Sequence, residues 1–384
     1  MKTPFFAAIG LALVTALPAQ ANETFKLGYI GGFSRFLAFY DGAHLEGVNI
    51  AVDEINKAGG IAGRQIELIT RDTRSETQEA AVLAEELLAE GVQAVIAPCD
   101  ADPTIAIGQV FAATMTPVIT TCSTAPTTAE FGGSNVFLSY PSDNVQGAVL
   151  AQYASDLGYK TALTVTSADN VYTDLLPEYF TEAFEKLGGQ RIDDIKIKLG
   201  QADMNAEVTK IGALPQLPDV IMTAIYEPDF PILIKALRAA GITTPVLEVD
   251  GIDSPTTFAL GDVVEGVTFT NAGFPAAGSP LEAFNTTFNA TYGRPSETTY
   301  NANGYDVGQT FRHAAEMTKG DLSGPALTAA INDMADVPNL MGTITYAGMN
   351  RVPLVNVAIN RIEKGAKVFV KDVLIDPALI PAAR

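Results

Sequence analysis

Histidine occurs only twice in this chain of 384 residues, at His44 and His313. Imidazole is the usual side chain for proton transfer near neutral pH and the commonest metal ligand, so a histidine-based metal site or acid–base machine is set aside. Cysteine is as scarce, with Cys99 and Cys122 alone, which excludes a small scaffold held by many disulfides. Basic residues number 24 against 44 acidic, a formal net charge of −20. That imbalance argues against nucleic acid and anionic membrane surfaces as partners, and the acidic residues are scattered, as on a solvated surface. After the N-terminus no segment reaches the ~20 apolar residues of a membrane span. No low-complexity linker and no repeat of 20–50 residues is present. The first strand-like run continues as "GYIGGFSRF", without G-x-G-x-x-G, and G-x-S-x-G is absent too, so the common dinucleotide and hydrolase signatures are missing.

What is there begins with an export signal. Met1-Lys2 is a short positive start, "FFAAIGLALVTAL" an apolar run too short to span a bilayer, and "AQA" at 19–21 a small-residue cleavage site. Cleavage is expected after Ala21, and no cysteine follows at a lipid-attachment position. The remainder is long enough for two domains of ~100–200 residues each. Its 47% hydrophobic content can build sizeable cores and does not read as disorder.

A short β-rich run, a turn and an amphipathic helix recur along the chain. "FKLGYIGGF" is a strand candidate. In "LEGVNIAVDEINKAGG", Val48, Ala51, Val52 and Ile55 mark one apolar helical face, stopped by Gly59-Gly60. "QIELITRD" is a strand, and "SETQEAAVLAEELLAEG" opens with Ser75 and Gln78 in capping-box spacing. "VQAVIAPC", a helix over 103–114 and "TPVITTC" follow. A second series runs from 144 to 271, then three helices at roughly 280–292, 300–318 and 323–335, and a late hairpin-like pair, "VPLVNVAINRI" and "KVFVKDVLI". Alternation of this kind implies α/β architecture, parallel sheets covered by helices on both faces. The joins between the two blocks are short and strand-like, which suits a hinge better than a tether.

In such a sheet ligands bind beyond the carboxyl ends of the strands. Cys99 and Cys122 both sit at such ends, on successive strands joined by one helix. If the strands are neighbours, their spacing of ~4.8 Å falls within the ~4.4–6.8 Å that a disulfide requires, so a Cys99–Cys122 disulfide is expected at the cleft rim. "STAPTT" (123–128) adds hydroxyls and backbone N–H groups before a helix, an arrangement that holds a carboxylate or simply caps the helix. Asp100 and Asp102 direct acid groups toward the same space, or cap the helix before Pro103, which Asp102 suits. In the second block, Tyr226 and Asp250 lie at strand ends in "AIYEPD" and "EVDG", and Tyr172 in "DNVYTD" precedes a helix. Together they would form an aromatic and acidic wall facing the first block.

With these segments the chain resembles the periplasmic solute-binding proteins of the branched-chain amino acid (Leu/Ile/Val) type of ABC transporter, over nearly all of 24–384. The resemblance is carried by "GVNIAVDEINKAGGIAGRQIEL", "VQAVIAPCDADPT", "TPVITTCSTAPTTAEF", "SADNVYTDLLPEYFTEAFEKLGG", "PDVIMTAIYEPDFPILIKALRAAGITTPVLEVDG" and "EGVTFTNAGF". It implies two Rossmann-like lobes on a three-segment hinge, the first over 22–140 and 272–345, the second over 141–271 and 346–384. It implies further that Ala101, Cys122 and Thr124 face a ligand carboxylate, beside the Ser123 already singled out in "STAPTT", that Tyr226 and Asp250 hold an α-ammonium, and that Tyr40 and Tyr172 close over the ligand. The family commonly carries a Ser/Thr cluster where this chain reads Asp100-Ala101-Asp102, so the hydroxyl donor is missing on that side. The expected function is capture of a small solute, amino acid-like or an amide or aromatic-acid analogue, for delivery to a membrane permease. No catalysis, cofactor or metal is expected, and the protein is expected to act as a monomer in the periplasm. The rival readings are a sensory module of the same fold and an exported α/β enzyme.

Overall fold

A computed structural model describes residues 24–384; the expected export signal and its cleavage site lie outside the described residues. The chain first lays down β1 (Phe25–Gly31), α1 (Ala38–Lys57), β2 (Ile66–Asp72), α2 (Thr77–Ala89), β3 (Ala94–Ala97), α3 (Ala101–Phe111), β4 (Val118–Thr120), α4 (Thr127–Gly132) and β5 (Val136–Phe137). These strands form an all-parallel sheet in the order β2-β1-β3-β4-β5. Both faces of β1 and β3 are buried, which is why their sequences read as unbroken apolar runs.

The chain then builds a second sheet through α5 (Asp143–Asp156), β6 (Thr161–Thr166), α6 (Val171–Lys186), β7 (Gln190–Lys196), α7 (Asn205–Gly212), β8 (Val220–Thr223), α8 (Asp229–Ala239), β9 (Val246–Glu248), α9 (Pro255–Phe258) and β10 (Thr268–Asn271). It returns to the first with α10 (Pro280–Tyr292), α11 (Tyr300–Met317), α12 (Gly324–Asn332) and a small hairpin of β11 (Val337–Asn339) and β12 (Gly342–Ile344). Val307, Phe311, Leu327 and Ile331 of the returning helices join Leu27, Tyr29, Val48 and Ile96 in one core. The last pair, β13 (Val357–Glu363) and β14 (Ala366–Val373), adds antiparallel strands to the second sheet, whose order is β14-β13-β10-β9-β8-β6-β7. The chain therefore passes between its two α/β lobes three times.

Strand order reverses once in each parallel array, between β1 and β3 and between β6 and β8. The loops leaving those strands diverge there and open a crevice, where α/β sheets bind ligands. The segments ahead of α1 and α3 face those ahead of α6 and α8 across it.

Two local expectations are corrected. Ser75 does not cap α2, which starts at Thr77 after Glu76 and has no side-chain cap. Ser75 has left-handed backbone (φ 59°), and its Oγ instead accepts from the Leu37 N–H at 3.1 Å and donates to the Ser34 carbonyl at 2.7 Å. The helix expected over 103–114 begins at Ala101, and its N-cap is Asp100, not Asp102.

Candidate functional site

Pairing of β3 with β4 places Ala97 opposite Thr120. Two residues further along each strand, Cys99 and Cys122 are again level, and they are joined by a disulfide with their Cα atoms 4.5 Å apart. Beneath the bridge Asp41 of α1 is fully buried and accepts from the Gly32 N–H at 2.6 Å and the Cys99 N–H at 2.9 Å. Burial pushes its carboxyl up to about 7. This acid ties the β1 turn, α1 and the cysteine loop into one support.

The disulfide forms part of the lining of a cavity between the lobes, with a volume of about 520 Å³ including its mouth. Tyr40, Asp100, Ala101, Cys122, Ser123, Thr124, Tyr172, Tyr226 and Asp250 all line it. Asp102 is the exception: one step into α3, its side chain turns to solvent and is exposed. No lysine, arginine or histidine is among the lining residues.

The second lobe's wall is organised around Asp250. Its Oδ1 accepts from the Gln146 side-chain amide at 3.0 Å and from the Tyr172 hydroxyl at 3.1 Å. Gln146 is oriented by Thr270, whose hydroxyl donates to the Gln146 carbonyl at 2.7 Å. Burial raises Asp250 to about 6, and the hydrogen bonds from Gln146 and Tyr172 draw it back. Two further acids lie behind it. Burial raises Asp143 to about 8 and holds Glu248 far above the usual carboxylate range. Burial therefore favours the neutral acid at Asp143 and Glu248, whereas the hydrogen bonds that Asp250 accepts favour its ionised form.

Tyrosines cross the gap between the lobes. Tyr40 on α1 donates to the Gly251 carbonyl at 2.9 Å and accepts from the Glu227 N–H at 3.3 Å. Tyr300, at the start of α11, donates to the carbonyl of Asp250 at 2.7 Å. The ring of Tyr226 lies edge-to-face with Tyr40 and Tyr172, centroids 6.4 and 6.0 Å apart, the geometry favoured by aromatic quadrupoles. Tyr300, Gln146 and Asn170 were not among the sequence-based candidates. Asn170 carries a local signal as the N-cap of α6, whereas Tyr300 reaches the cavity, and Gln146 the Asp250 carboxylate, only through the packing of distant segments.

On the first lobe's wall, Asp100 Oδ1 accepts from the Ala101 N–H at 2.8 Å and stands 3.5 Å from the Asn170 amide of the other lobe. The Ala101 N–H, expected to serve a ligand carboxylate, is thus occupied by the neighbouring side chain. Burial lifts Asp100 to about 6, and the adjacent Asp102 adds to the rise.

An interlobe crevice at two facing switch points, lined from both lobes, is the arrangement of a two-lobed solute receptor. The periplasmic binding protein family model matches residues 24–367, and the chain belongs to that family. The Leu/Ile/Val-binding protein BraC3 of Rhizobium johnstonii is 25% identical over 332 residues, 86% of this chain and 89% of that protein. The crystal structure of a leucine binding protein, LivK of Thermotoga maritima, superposes with a TM-score of 0.83 at 26% identity, covering 92% of this chain and 99% of that one. A solute binding protein of an ABC transporter from R. palustris, solved with benzoate, shares the fold with a TM-score of 0.81 at 20% identity, covering 91% and 96%.

Proposed function

We propose that this protein is the periplasmic binding component of an ABC importer, which encloses one small ammonium-bearing solute between its lobes and presents it to a permease. The lobes that close would be 22–140 with 272–345 and 141–271 with 346–384, acting as a monomer after export. Both lobes contribute to one cavity, so affinity arises only when they meet and ligand binding shifts the population toward the closed form.

The observation that carries this reading is Asp250, a buried carboxyl in the cavity wall with no lysine, arginine or histidine among the described residues that line the cavity. An isolated buried carboxylate is costly, and an ammonium ligand offsets that cost with a charge-assisted hydrogen bond. Tyr172 and Tyr226 line the same cavity, where aromatic rings stabilise a bound cation. Family membership supports solute binding rather than catalysis.

The test is mass spectrometry of solute released from the denatured protein, then calorimetry with that solute. Asp250→Asn should weaken an amine ligand at least a hundredfold while leaving the thermal unfolding midpoint close to that of the parent. An unchanged affinity would remove the basis of the assignment.

A further inference from the structure

The cavity carries a second acid on the wall opposite Asp250, and among the described residues that line it no lysine, arginine or histidine balances either. Asp100 comes from the loop after β3 and Asp250 from the loop after β9, and both line the same space. The Asp100 carboxylate occupies the Ala101 N–H, which would otherwise be a donor to an anion at the start of α3. Tyr226 lines the same cavity as Asp100, and burial, then the charge of Asp100, hold its hydroxyl above the usual range. Tyr172 bonds Asp250, and the two rings lie 6.0 Å apart. The tyrosines thus form an electron-rich wall running from one acid to the other. A zwitterion would bring its carboxylate toward this negative, desolvated wall.

Resting on the solute-capture reading above, we infer that the pocket selects small organic cations lacking a carboxylate, with an ammonium on Asp250 and a neutral or cationic N–H donor toward Asp100, over free amino acids. Simple amines and amino acid amides belong to this class. The Asn170 amide, 3.5 Å from Asp100, marks where such a donor would bind: an N–H from the other lobe already approaches that carboxylate. Specificity then has a repulsive element, Asp100 against a ligand carboxylate, as well as an attractive one at Asp250.

Calorimetry at neutral pH with two matched sets tests this on the unaltered chain: leucine, leucinamide and 3-methylbutylamine, and tyrosine, tyrosinamide and tyramine. The expected result is that the amide or amine of at least one set binds at least tenfold more tightly than its parent amino acid. Asp100→Asn should then reduce that preference at least fivefold by restoring the amino acid. If both parent amino acids bind as tightly as their derivatives, the inference fails while solute capture stands. If no amine or amide binds at millimolar concentration, it also fails. Binding of benzoate or 3-methylbutanoate, with no amine bound, would overturn both the inference and the role given to Asp250.

Discussion

The hydroxyl of Tyr300, on the lobe built around β1–β5, donates to the backbone carbonyl of Asp250 on the other lobe, 2.7 Å away. Tyr40 makes the equivalent bond to Gly251, the next residue. Two tyrosines of one lobe therefore grip the same short loop of the other, and that loop also presents the Asp250 carboxylate.

Tyr300→Phe removes one of these bonds and leaves the Asp250 carbonyl without its donor. A buried hydrogen bond contributes about 1 kcal/mol, and an orphaned partner costs up to about 3. Ligand affinity is expected to fall roughly tenfold, about 1.4 kcal/mol, with little change in the unfolding midpoint of the ligand-free protein. Calorimetry and thermal denaturation on the same variant check both halves of the statement.

The Cys99–Cys122 disulfide spans a sequence separation of 23 residues. Closing a loop of that size lowers the entropy of the unfolded chain enough to stabilise the fold by about 3 kcal/mol. Guanidinium unfolding of the Cys99→Ser/Cys122→Ser double variant should show a loss of roughly that size. The unreduced parent, unfolded, should expose no titratable thiol, and two free thiols would contradict the bridge.

Helices α1 and α11 approach so closely at two glycines that a methyl group has no room. A Cβ on Gly47 would sit 1.8 Å from the Asn301 carbonyl oxygen, and one on Gly304 would sit 2.1 Å from that of His44. Overpacking of this kind costs about 1–3 kcal/mol or more, so Gly47→Ala and Gly304→Ala should each lower stability by at least about 2 kcal/mol. Gly42, on the same helix with nothing within 4 Å, is the control. Its alanine variant should gain up to about 1 kcal/mol from helix propensity.

Several acids are buried without a cation and hold protons that the unfolded chain would release. Burial raises Asp143 and Asp306 to about 8 and Asp41 to about 7. Between the ordinary carboxylate range near pH 4 and these raised values, the native state binds more protons than the unfolded state. Stability therefore falls as pH rises through this window. The unfolding midpoint should be higher at pH 5 than at pH 8, and Asp143→Asn or Asp306→Asn should flatten the slope. A midpoint that climbs steadily from pH 5 to pH 8 in the parent would show that these carboxyls ionise freely.

Much of this was legible before the structure. The strand and helix alternation follows from local periodicity: of the expected helical face, Val48, Ala51 and Ile55 are buried and Val52 is half-buried. The disulfide was legible because adjacent parallel strands keep register, so residues equally far beyond Ala97 and Thr120 meet. Ser75 was misread because a capping box presumes ordinary extended backbone at the cap, whereas this serine is left-handed and serves the neighbouring turn. Asp102 is the better cap on sequence because it precedes Pro103, but α3 begins at Ala101 with Asp100 as its cap and leaves Asp102 exposed.

The sequence by itself determined the α/β architecture and the bridge between the cysteines, because both depend on periodicity and strand order carried along the chain. Only the tertiary structure decided that Tyr300 latches the loop of Asp250, that Gln146 donates to its carboxylate, and that Asp100 takes up the Ala101 N–H. Two of those contacts join segments far apart in the chain, and the third depends on a side-chain conformation. Hydrogen bonds a few ångströms long depend on how the elements pack, and no local pattern of residues encodes that.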